Sequence, residues 1–268
     1  MFSPHRSLAA LVLLASAAVA QDAAMPKGPS PEEIKAAAAA CKEGLKAKEP
    51  ADRIAAVQAA AKVDGNAVAD EISPAMKDKD ETVAAAAMKA LGGMSCDESL
   101  KELHRVVKGA DKKLQDNAKL YATLLRAVGQ HGDKSSVEVL AEDVTKNLDA
   151  EVVRARIYGL GNIRDRSAVE KLLDLTNLGN PTPGEDSPFM PDVRVALARL
   201  TGTDQTTNKS RWQEWWNKNK KDFKVAEKPP ELPPELQRQW DEYWAGTGTR
   251  PAEKRSEGGG DAGGPKKG

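Results

Sequence analysis

The chain has 268 residues and carries 40 Lys plus Arg against 40 Asp plus Glu, a formal net charge of zero at pH 7. With no basic excess there is no global field to recruit nucleic acid or an anionic membrane, and neither is expected as a partner. Charged residues at 30%, aromatics at only 4% and abundant alanine favour an all-α chain and argue against a β-sandwich.

Residues 1–20 read as a secretory signal peptide: His5 and Arg6 precede an apolar run over 8–19 that closes on Ala18-Val19-Ala20. That run is shorter than the roughly 20 residues a membrane-spanning helix needs. Cleavage is expected before Gln21, with an uncleaved N-terminal anchor as the competing reading. No later stretch is apolar for long enough to act as an anchor, so an exported chain, periplasmic or secreted and not inserted in a membrane, is expected.

After a leader over 21–29, Ser30-Pro31-Glu32-Glu33 has the parts of a helix start: a serine cap, a proline in the first turn and a carboxylate three residues on. This N-terminal capping segment, 30–51, should be helical to about Lys48, where Glu49-Pro50 stops it. A second helix is expected from Asp52, with Ile54, Val57 and Ala61 inward, to Asp64-Gly65. A third, over 67–76, contains Pro74 and should kink or end early. Cys41 shares a helical face with Ile34, Ala38 and Leu45, so it is either a small core residue or, in an oxidising compartment, half of a disulfide with Cys96.

From Met76 a grammar repeats. An acidic turn, Asp78-Lys79-Asp80-Glu81, leads into a helix ending Leu91-Gly92-Gly93, and Asp97-Glu98-Ser99 opens another. Leu124-Leu125-Arg126-Ala127-Val128-Gly129 precedes Gly132-Asp133 and a helix over 136–146. Asp149-Ala150-Glu151-Val152-Val153-Arg154 leads to Tyr158-Gly159-Leu160-Gly161, then Asp165 and a helix over 168–175. A weaker copy runs from Pro191-Asp192-Val193-Arg194 to Leu200-Thr201-Gly202. Glycine after leucine reads as a left-handed C-cap, and the acid after the turn as an N-cap.

This pattern, over 52–202, resembles the short bacterial form of the HEAT repeat, in which an acidic turn and Glu-Val-Arg start the first helix, Ala-Leu-Gly ends it, and an Asp with a following Ala-Val starts the second. The copy from Asp149 is the closest; the one around Tyr121 lacks the Val-Arg pair. The resemblance implies a short right-handed α-solenoid in which each helix pair buries its apolar stripe against its neighbours.

Two departures stand out. The insertion over 177–191 holds Pro181, Pro183, Pro188 and Pro191 around Phe189-Met190, which reads as an exposed pair on a surface or binding loop. The second is the segment 203–224, where Trp212, Trp215 and Trp216 either cap the open end of the stack or form an aromatic platform for a carbohydrate or envelope polymer. The segment 225–245 follows as a proline-rich spacer and a short amphipathic helix able to dock back or onto a partner. The tail 246–268 is too polar to fold.

No metal-ligand, nucleophile-elbow or phosphate-loop spacing appears, so no cofactor and no catalytic centre are expected, though acids gathered from distant repeats would be invisible to spacing. His104 and His131 read as solvated helix or turn residues. The expected function is a non-catalytic interaction scaffold that binds a protein or peptide on the inner face made by the second helices. Lys101, Arg105, Glu138, Glu142, Glu170 and Lys171 are the candidate contacts there, and their mixed signs favour a protein partner over a polyanion.

Overall fold

The computed structural model describes residues 28–179 and 187–246. The signal segment, most of the leader, residues 180–186 of the proline-rich insertion and the tail from 247 lie outside the described residues. Among the described residues the chain is all-helical, and no helix is long and apolar enough to cross a membrane.

Helix α1 (Pro31–Gly44) opens with the expected capping box: Ser30 Oγ accepts from Glu33 N, and Glu33 Oε2 accepts from Ser30 N at 2.7 Å. It ends earlier than the sequence suggests, in tight turns after Gly44, where a Cβ would stand 2.3 Å from Ala56 Cβ on the next helix. Pro50 does not merely stop α1; it is the first residue of α2 (Pro50–Ala60), where its missing N–H costs nothing. Helix α3 (Asn66–Ile72) runs into a 3-10 turn, Ser73–Lys77, at Pro74, as the proline predicts.

Two layers follow. Helices α2, α4 (Glu81–Gly93), α7 (Ala118–Gln130), α9 (Ala150–Asn162) and α11 (Met190–Thr201) pack each on the next. The second layer takes α1, α3, α5 (Asp97–Lys108), α8 (Ser136–Ala141) and α10 (Arg166–Asp174) in the same succession. One continuous apolar core lies between the layers, from Ala38 through Leu91, Leu125 and Leu160 to Trp212. A short helix that the sequence pattern does not reveal, α6 (Lys112–Asp116), is capped by Asp111 ahead of α7.

The acidic turns act as expected: Asp80, Asp149 and Asp165 each accept from backbone N–H groups of the helix that follows. The glycines near the ends of the first-layer helices α4, α7 and α9 do not act as left-handed caps. Gly92, Gly129, Gly159 and Gly161 lie within helices; the left-handed caps are elsewhere, at Gly202 (φ 71°) for instance. A Cβ at Gly92 would fall 2.8 Å from Ala127 Cα, one at Gly129 2.4 Å from Gly159 Cα, and one at Gly161 2.8 Å from Ala196 Cβ. The repeated glycine therefore sets how closely consecutive first-layer helices cross.

Helix α8 also ends early, at Ala141, with Asp143 left-handed (φ 56°) before a 3-10 turn, Val144–Lys146. Buried Arg156 of α9 explains this, since its guanidinium donates to Val139 O at 3.3 Å and Leu140 O at 2.8 Å. A cation on those carbonyls satisfies a helix C-terminus that further turns would otherwise occupy.

Arg53 of α2 reaches across to Asp78 through two bonds, Nε to Oδ2 at 2.8 Å and Nη2 to Oδ1 at 2.9 Å, and its Nη1 donates to the carbonyls of Ala47 and Lys48. The Arg53 guanidinium holds the Asp78 carboxyl below its usual range, against an opposing effect of burial. A depressed carboxyl contributes stability above the unfolded value of about 4 and loses it as pH falls through the folded one. Thermal melts between pH 2.5 and 7 should show Asp78→Asn melting below wild type by a steady margin above about pH 5, and the margin closing in acid. A gap constant at every pH would exclude this linkage.

The last two helices close the molecule. Helix α12 (Lys209–Asn219) starts at an Asn208 cap and sends Trp212 and Trp216 into the end of the core. Helix α13 (Pro234–Gly246) docks back on the first layer, where Leu236, Trp240 and Trp244 form a separate apolar cluster with Tyr158, Val195 and Ala198. The Tyr243 and Tyr158 rings stack at 3.8 Å between centroids, Arg199 lies over Trp240 at 4.4 Å, and Arg194 bridges Asp204 to Glu235.

Candidate functional site

Helix α5 is sharply two-sided. Ser99, Leu103 and Val106 face the core, whereas Asp97, Lys101, His104, Arg105 and Lys108 recur at three- and four-residue steps along the opposite face. That face is one wall of a groove of about 1040 Å³. The α4–α5 turn (Met94, Ser95, Cys96) and the α7–α8 turn (His131, Asp133, Ser135) complete it.

Each turn is pinned from a neighbouring pair. Asp64 accepts from Ser95 N at 3.0 Å and Cys96 N at 3.1 Å, fixing the first. In the second, Asn162 donates to the carbonyls of Gly129 and Gln130, and Gly132 (φ 63°) turns the chain. His131 donates from Nε2 to Leu91 O at 3.1 Å, since a carbonyl only accepts. His104 Nε2 lies 2.8 Å from Ser136 Oγ.

Burial pushes both imidazoles below the ordinary histidine value; for His104 the positive Lys108 and the neighbouring His131 add to it. Both rings are half-buried groove residues, not the solvated ones the sequence suggests. Cys96 is pushed up, first by burial and also by the Asp64 carboxylate, which leaves a protonated thiol ill-suited to nucleophilic attack. Among the described residues, no three His, Cys, Asp or Glu side chains gather as a metal site would require. The groove lining mixes charged and polar side chains with the apolar Met94 and Leu100.

Two of the six charged residues expected on this layer, Lys101 and Arg105, line the groove, each with a carboxylate already attached. Lys101 pairs with Glu98 at 2.8 Å, and Arg105 with Glu102 at 2.5 Å, where Ser73 also bonds to Glu102. Lys108 has no carboxylate partner among the described residues. The other four lie outside the groove: Glu138 and Lys171 join α8 to α10 at 3.0 Å, Glu170 pairs with Arg166 on its own helix, and Glu142 is exposed just past α8.

One further expectation is overturned and two open alternatives are narrowed. Phe189 and Met190 are buried rather than exposed, because Ser187 Oγ donates to Leu178 O and ties the base of the insertion, packing Phe189 over Gly179. Cys41 and Cys96 are both free thiols; Cys41 lies in the core, its thiol pushed up to about 11 by burial and by Glu71. Of the three tryptophans, Trp212 and Trp216 are buried and only Trp215 is partly open, all three packed edge-on or tilted against one another or Phe223.

The polar stripe of α5 was readable from its spacing, and it would have added His104 and Lys108 to Lys101 and Arg105. Cys96, His131 and Asp133 arrive from two other turns, and no local pattern joins them to it. No protein-family profile matches the chain, and no curated protein matches it in sequence.

Proposed function

We propose that the protein is an exported, non-catalytic interaction module, a short right-handed solenoid of HEAT-like helix pairs that holds a protein or peptide segment along α5 on the second-helix layer. The observation that carries this reading is the groove: about 1040 Å³, open, and lined by residues from two consecutive helix pairs, α4–α5 and α7–α8. Supporting the repeat reading is the recurrence of side-chain caps at α4, α7 and α9 (Asp80, Asn117 and Asp149) and of glycines where these helices cross their neighbours (Gly92, Gly129, Gly159 and Gly161), the local rules of a stacked array. The carbohydrate-platform alternative would need open indole faces, and burial of Trp212 and Trp216 weighs against it.

The half-buried Cys96 thiol lines the groove while Cys41 is sealed in the core, so a photo-crosslinking maleimide should attach at Cys96 alone. Crosslinks in an envelope fraction are expected from Cys96 and to be competed by unlabelled protein. The same reagent on Lys89→Cys in a Cys96→Ser background, on the exposed side of α4, should give none. Equal crosslinking from both positions would remove the groove as the binding face.

A further inference from the structure

We propose that the first-layer face over α9 and α11 is a second docking site, shaped for an amphipathic helix with leucine and tryptophan at four-residue steps, and that α13 is its occupant in cis. The partner is a helix of that kind on another protein, which takes the seat when α13 leaves it. The site lies on the other layer from the α5 groove, and the inference does not depend on that groove.

The seat shows what it accepts, because α13 sits in it. Leu236, Trp240 and Trp244 follow one another at four-residue steps along one side of α13, the spacing with which a helix lays an apolar stripe into a groove. The receiving strip is Tyr158 of α9 with Val195 and Ala198 of α11. Gly161 leaves a notch for an indole: a Cβ there would stand 3.1 Å from the Trp240 ring. Arg199 lies over that ring at 4.4 Å, Tyr158 stacks on Tyr243, and Arg194 donates to Glu235 in the first turn of α13 at 2.9 Å. Aromatic rings thus select the ligand, and an acid at the helix start sets its direction.

Two features mark α13 as a seated ligand rather than a part of the core. The continuous core closes on Trp212 and Trp216, with Phe223 and Val225 packed against it, and takes no apolar side chain from α13. Between α12 and α13 the connector 220–233 has no helix and carries Pro229, Pro230 and Pro233, the composition of an extended spacer. It touches the stack where Arg164 donates to Ala226 O at 2.6 Å and where Pro230 lies against Gly202. A helix joined in this way can leave its seat without unpicking the stack. The tether returns it at an effective concentration on the order of millimolar, so a free helix competes only when it binds better or when α13 is weakened.

The test uses the chain from Gln21 onward and a fluorescein-labelled peptide of residues 232–246, read by anisotropy. The variant Trp240→Ala/Trp244→Ala no longer fills its own seat, and it should bind the peptide at least about tenfold more tightly than wild type does. The same peptide with both tryptophans replaced by alanine should bind neither protein. Because the two indoles lie outside the continuous core, the variant should still melt cooperatively. Hydrogen exchange of the wild type, which needs no variant, should show α13 amides exchanging at least about tenfold faster than those of α9 and α11. Equal peptide binding by the two proteins, or equal binding of the tryptophan-free peptide, overturns the proposal. Loss of the cooperative melt, or exchange of α13 only together with α9 and α11, makes α13 a part of the core and overturns it as well. Crosslinking at Cys96 is independent of all these outcomes, so the groove and this face stand or fall separately.

Discussion

Gly129→Ala should destabilise the protein by about 3 kcal/mol, the upper part of the range for overpacking a close-packed site. The added Cβ would sit 2.4 Å from Gly159 Cα, and both atoms belong to helices that cross in the middle of the first layer. No rotamer relieves this clash, because the obstacle is backbone. α7 and α9 would have to separate, loosening Leu125, Val128 and Leu160 around the crossing. The control is Gly93→Ala at the end of α4, where a Cβ meets nothing within 4 Å. There the lost backbone entropy of the unfolded chain should leave stability unchanged or raised by up to about 1 kcal/mol. Urea unfolding of the two variants measures both, and equal effects would rule out the crossing as the role of Gly129.

The same glycines show how much of the fold was legible. A glycine near the end of α4, α7 and α9 marks the first-layer helices, and acidic residues mark the starts of α4, α9 and α10, because both signals are local. What one sequence does not separate is a glycine required by positive φ from one required by a neighbour's approach, since both sit near helix ends. Gly202 is the first kind and Gly129 the second. Phe189-Met190 failed as a surface pair for a related reason. Flanking prolines signal a loop, but burial there depends on Ser187 reaching back to Leu178 and on Gly179 leaving room for the ring. α8 is cut short by Arg156, which comes from the next repeat.

The groove follows the same division. Its α5 wall is a periodic stripe and could be read; its other walls are assembled by Asp64 and Asn162, whose bonds span about one repeat in sequence. Charge alone was a poor guide to contacts, because residues of mixed sign at helical spacing mostly satisfy one another. Glu138 with Lys171 and Glu170 with Arg166 are such pairs, spent within the fold. A residue such as Lys108, charged and without a carboxylate partner among the described residues, is more informative than a paired one, and only the folded chain separates the two.

The tryptophan cluster separates two roles that the sequence left open. Trp212 is fully buried at the end of the core, and its Nε1 donates to Thr206 O at 2.8 Å. Trp212→Ala should therefore cost about 3–5 kcal/mol, lowering the melting temperature by roughly 10 °C in a domain of this size. Trp212→Phe keeps most of the buried ring and forfeits the hydrogen bond, so it should recover all but about 1–2 kcal/mol of that loss. Trp215 is partly open and has no such bond; truncating it should cost about 1 kcal/mol, mainly the edge-to-face contact with Phe223. A ligand platform predicts the opposite order, with Trp212→Ala leaving stability intact and abolishing glycan binding. The ranking of the melts decides the role without a ligand in hand, because a side chain cannot seal the end of a core and also present its ring face to solvent.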